Sequence, residues 1–143
     1  MNIPDLYQAD LDKLIEEINL FKSENNIWET KERITNSAGN LTLHLLGNLN
    51  HFIGKTLGNT DYLRKRDEEF SSKNIPKEKL IGDLKELKET IRNTLSKLSK
   101  EELQKDFPIA IRNQTFSTEM MLTYLLAHLN YHLGQVNYLR RML

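Results

Sequence analysis

The sequence predicts an all-α protein built as a four-helix bundle, and three observations carry that reading. Long segments repeat apolar residues at steps of three and four with charged residues between them. Only six glycines and three prolines interrupt the 143 residues. Four periodic segments of comparable length are joined by short or moderate connections, as a bundle requires. The length matches one ordinary domain, so residues 1–143 are read as a single domain around one core.

The first helix is expected from about Pro4 to Ser23, with a proline suited to its first turn and with Leu6, Leu11, Leu14, Ile15, Ile18 and Phe21 facing inward. After the loop ENNIWETKERITNSAGN, a second helix starts near Ser37 or Ala38 and runs to about Leu57. The following GNTDYLRKRDEEF mixes charges and reads as a solvated connection or helix end over Arg64 to Glu69. The third helix begins at Pro76, and Leu80, Leu84, Leu87, Ile91, Leu95 and Leu98 form one apolar stripe on it. Ser99 followed by Glu102 fits a capping box and predicts a short helical turn. The stretch FPIAIRNQTFST alternates and suggests a small β-hairpin or an extended loop. From about Ser117 to Met142 a last helix is apolar around much of its circumference, which predicts the most buried element.

Composition excludes several functions. The 20 basic and 20 acidic residues cancel, so the chain lacks the basic field of nonspecific nucleic-acid binding. Cysteine is absent, which removes disulfides, thiolate ligands and a cysteine nucleophile. No signal-peptide pattern and no long uncharged apolar run occur, so neither secretion nor membrane insertion is expected, and the expected location is the cytoplasm. There is no Glu-x-x-His pair for a di-iron bundle, no His-Glu-x-x-His, no P-loop and no nucleophile elbow.

All four histidines fall on two helical segments, His44 and His51 on the second helix and His128 and His132 on the last. A seven-residue separation returns side chains to within about 20° of one face, and a four-residue separation to within about 40°. Imidazole is the commonest protein ligand for zinc and related metals, and an i, i+4 pair can chelate one ion on an undistorted helix. On the second helix, steps of three and four give Asn40, His44, Gly47, His51, Gly54 and Gly58, a stripe of histidine and small residues. Glycine within a helix costs about 1 kcal/mol relative to alanine, so these glycines imply either close packing or room for a ligand. On the last helix, Met121, Leu125, His128, His132, Gln135 and Leu139 share a face. Gln135 and Asn48 are placed to orient ligands or bound water, as is Tyr131, which could equally pack. Tyr124, Tyr131 and Tyr138 read as core or interface residues rather than proton donors.

The segments SAGNLTLHLLGNLNHF and HLNYHLGQVNYLRR, with the hairpin-like stretch before the latter, resemble the DinB-like superfamily of metal-binding four-helix bundles, which includes bacillithiol and mycothiol transferase relatives. The resemblance covers most of the chain. It implies a three-ligand metal site formed by His44, His128 and His132. His51 lies two turns from His44, about 10.5 Å along a straight helix, too far to share an ion with it. It is read as a pocket residue or one supporting the ligands. Three neutral imidazoles would favour zinc or nickel and leave a coordination position open for water or substrate.

The resemblance also implies thiol chemistry, in which a low-molecular-weight thiol is transferred to a small electrophile. No thiol-binding motif appears in the sequence itself. The alternatives are a noncatalytic metal or small-ligand binding protein and a helical interaction protein without metal. Related proteins commonly pair, and the first and last helices carry apolar residues on more than one face, so a homodimer is expected.

Overall fold

Helix α1 spans Ile3–Leu20, and its first turn is closed by a reciprocal cap. The Asn2 side chain accepts from the Asp5 amide, while the Asp5 carboxylate accepts from the Asn2 amide. Two otherwise free donors are thereby satisfied. The helix ends three residues before the expected Ser23, because Phe21 already has extended backbone. Tyr7, Leu11, Leu14 and Ile18 are fully buried. Leu6 is instead 36% exposed, and Tyr7 takes the inward position. The Tyr7 hydroxyl donates to the Leu122 carbonyl at 2.5 Å, so this buried phenol keeps a partner.

The computed structural model describes residues 1–143 and contains helices but no β-strand. A 3₁₀ turn over Glu24–Trp28 leads to α2, Ala38–Leu49, capped by Ser37. Every residue of α2 except Leu43 is buried, which makes it, rather than the last helix, the most enclosed element. The helix does not continue to Leu57 in α form. It passes into a π-helical segment, Asn50–Lys55, in which the Thr56 amide donates to the His51 carbonyl and the Gly58 amide to that of Ile53.

Helix α3, Arg66–Ser71, occupies the segment expected to be a solvated connection. Lys65 to Glu68 are exposed, as a solvated helix end would be, but Glu69 is buried, which corrects the reading at that residue. Helix α4 spans Lys77–Ser96 and buries Leu80, Leu84, Leu87, Ile91 and Leu95, as its stripe predicts. Leu98 lies beyond its end and is partly buried. Helix α5, Lys100–Gln104, begins at the expected Ser99–Glu102 capping box. Between α5 and the last helix the chain makes two isolated antiparallel bridges, Asp106 with Ser117 and Ile111 with Gln114. Arg112 and Asn113 turn there with φ of 49° and 63°, so the segment is hairpin-like without forming strands.

Helix α6 spans Thr118–Met142 under a Ser117 cap. It buries Met121, Leu122, Leu125, Leu129, Leu133, Val136 and Leu139 but leaves Met120, Tyr124, Tyr131, Tyr138 and Met142 exposed. The four long segments pack as a ring, α1 against α4 and α6, and α2 with its π extension against α4 and α6. One cluster of 25 buried residues fills the centre. Helices α1 and α6 run parallel, cross-linked by Asn130 donating to Asp10 at 2.6 Å and by Asn137 and Arg140 on Glu17. No helix is long and apolar enough to cross a membrane.

Candidate metal centre

Helices α2 and α6 bring three of the four histidines to one point. His44 Nε2 lies 3.2 Å from His128 Nε2, and His132 Nε2 lies 3.1 Å from the same atom. The three ligand atoms all fall within 4.8 Å of one another, close enough to hold a metal ion. His128 and His132 share a face because four residues make little more than one turn. His44 meets them from a buried position on α2.

The opposite ring nitrogens fix the orientation of two of these imidazoles. His44 Nδ1 is 3.1 Å from Glu69 Oε1. His132 Nδ1 is 2.7 Å from Gln135 Oε1. Glu69 is in turn held by the Arg64 fork, with Nε on Oε2 at 2.8 Å and Nη2 on Oε1 at 2.9 Å. Asn40 ties the backbone of this segment to α2, its amide donating to the carbonyls of Glu69 at 3.0 Å and Ser72 at 2.9 Å. Phe70 packs on the His44 ring at 5.0 Å between centroids. Arg64 and Glu69, read from sequence as part of a solvated run, thus form an ion pair behind the first histidine, Glu69 buried and Arg64 half-buried.

Residues 7–143 match the family described as "Protein of unknown function (DUF1572)". The chain belongs to this family. No curated protein matches it.

Whether the donors of this family member suit a cation follows from their hydrogens. A carboxylate can only accept, so a neutral His44 carries its hydrogen on Nδ1 and presents a lone pair at Nε2. The Gln135 oxygen imposes the same tautomer on His132. Both lone pairs then face His128 Nε2, which can supply at most one hydrogen between them. The cluster cannot satisfy itself, whereas a cation would satisfy all three lone pairs. Donors on a tetrahedral ion with bonds of 2.0–2.1 Å stand about 3.3 Å apart, close to the two separations seen.

Burial favours neutral rings. It pushes the His128 pKa down to about 4, with His132 and His44 adding to the effect. Burial also lowers the His44 pKa, outweighing the opposing hydrogen bond from Glu69. His128 and His44 are therefore available as neutral donors at ordinary pH.

The remaining sequence candidates divide. Gln135 touches His132 directly, its Oε1 2.7 Å from the ring's Nδ1. The Tyr131 ring lies edge-on to His132 at 5.2 Å, though the residue is 67% exposed. Asn48 is buried but bonds none of the three histidines, and its Oδ1 has no protein partner. His51 stands outside the cluster, its ring against Phe52 at 4.8 Å and its buried Nδ1 unpartnered.

The glycine stripe is explained by close packing. A Cβ on Gly47 would lie 1.8 Å from Glu69 Oε2, and one on Gly54 3.3 Å from Thr90 Cγ2. A Cβ on Gly58 would meet Thr94 Oγ1 at 2.5 Å. Glu69 was not identified from sequence. The available signal was Gly47 itself, one turn from His44, which marked a place where something large had to approach.

Proposed function

We propose that this protein is a divalent-metal-dependent enzyme with a DinB-like four-helix bundle, a thiol S-transferase acting on a small electrophile. The observation that carries the reading is the convergence of three Nε2 atoms, two of them on rings oriented from behind by Glu69 and Gln135. His44, His128 and His132 would hold the ion, with zinc or nickel favoured by an all-imidazole set. Bound there among neutral donors, a divalent ion would supply Lewis acidity that lowers the pKa of a thiol or water.

The chain's own residues do the rest. Glu69 and Gln135 hold two rings in the required tautomer, as partners of metal-binding histidines do. Arg64 balances the Glu69 charge behind His44. A groove of about 490 Å³ opens beside His132, within the range of small-molecule sites. Asn48 and His51 do not line this groove, and each keeps one buried polar atom without a protein partner.

We further propose a cytoplasmic homodimer that uses apolar side chains left exposed on α1 and α6, among them Leu20, Met120 and Tyr124. The deciding experiment for the function is elemental analysis of protein purified without a histidine tag, followed by a screen of bacterial thiols against electrophiles. One metal per chain and thiol-dependent, metal-dependent turnover are expected. Metal without turnover would leave a binding protein, and absence of metal would remove the reading.

A further inference from the structure

The groove beside His132 runs between α6 and the segment that precedes α2. Its α6 wall is apolar and aromatic, with Tyr131, Tyr138, Leu139 and Met142. Its other wall carries Arg33, Thr35 and Asn36, whose side-chain polar groups have no protein partner. Arg33 therefore brings an unpaired guanidinium to a groove that is also lined by His132 and Gln135. Nearby Arg141 is occupied differently, stacked over the Tyr138 ring at 5.3 Å.

We propose that this groove binds a small molecule with an apolar or aromatic body and one carboxylate, the carboxylate on Arg33 and the body along Tyr131 and Tyr138. A guanidinium fork matches a carboxylate in two parallel hydrogen bonds. A single cation balances a monoanion, whereas a phosphate dianion would leave net charge in an apolar slot. The aromatic wall supplies flat contact area at little entropic cost. This assignment deepens the metal-enzyme reading, because it names the substrate class and directs the molecule's far end toward the histidines. The binding step itself needs only the groove.

The test uses 4-phenylbutyrate, its uncharged amide and 4-phenylbutyl phosphate, titrated calorimetrically into the protein as purified and into Arg33→Gln. Arg33 is exposed and unbonded, so the variant should fold, and its helical circular dichroism should match wild type. The carboxylate should bind wild type at least tenfold more tightly than the variant, with amide affinity unchanged between them. Amide shifts in nuclear magnetic resonance spectra should cluster at Tyr131, Tyr138 and Met142. Equal carboxylate affinity in both proteins, or tighter binding of the phosphate ester, would overturn the proposal. Elemental analysis of the same protein as purified, set beside the titrations, separates the two readings. An Arg33 effect in protein that holds no metal would sink the enzyme while sparing the groove, and metal at full stoichiometry without an Arg33 effect would do the reverse.

Discussion

The carboxylate of Glu69 occupies the volume that a side chain on residue 47 would fill. Gly47→Ala must therefore displace Glu69 from His44 Nδ1, although neither residue is among the three converging histidines. Loss of such a supporting hydrogen bond typically weakens metal binding by roughly 10–100-fold. We expect that range for Gly47→Ala, and a loss in the same direction for Glu69→Ala, measured by competition with a chromophoric chelator. Wild-type affinity in both variants would show that the Glu69 contact does not support the site.

Ligand assignment is tested by stoichiometry. Plasma mass spectrometry of His128→Ala and His132→Ala should find metal lost, whereas His51→Ala should retain about one ion per chain. Retention in the first two variants would mean that the ion binds elsewhere.

Acid should destabilise the metal-free protein. His128 is held at about 4 in the fold against 6.5 when unperturbed, and His44 shifts in the same direction. Between those two values the unfolded chain binds protons that the folded chain refuses, so stability rises with pH across that window. It is fully present above about 6.5 and declines as pH falls toward 4. Urea midpoints of chelated protein at pH 7 and pH 5 should show the lower value at pH 5. Equal midpoints, with the histidine ring signals confirming neutrality, would contradict the assignment.

Catalysis is tested by comparing wild type, chelated protein and His128→Ala with several thiols over a panel of electrophiles. The rate of wild type should depend on both ion and thiol. Identical background rates in all three, with metal present in wild type, would favour the binding protein. Metal-dependent hydrolysis without thiol would make water the nucleophile.

For assembly, light scattering at micromolar concentration should give twice the chain mass, and Tyr124→Glu should return it to one. A single-chain mass for wild type would remove the homodimer.

Much of the fold was legible because apolar spacing reports burial. The α4 stripe from Leu80 to Leu95 and the Ser99 cap stand where the sequence put them. His44, His128 and His132 come together as the resemblance implied. What was not legible depends on contacts distant in sequence. Arg64 and Glu69 look like any exposed charge run until α3 folds back on α2, and only then does each carry the other's charge into the interior. Leu6 and Tyr7 are both apolar enough to be buried, and the choice was made by the Leu122 carbonyl waiting for a hydroxyl.

The π-helical segment Asn50–Lys55 allows one continuous rod to address two neighbours. In an unbroken α-helix, Gly47 and Gly54 would point within about 20° of each other and compete for the same companion. Gly47 instead receives Glu69 from α3, while Gly54 and Gly58 receive Thr90 and Thr94 from α4. The extra residue in the π turn acts as a swivel of about one residue's rotation, near 100°. Deleting a single residue there would restore ordinary winding and re-aim everything beyond it. The His44 half would keep its bearing while the glycines lost their seat on α4.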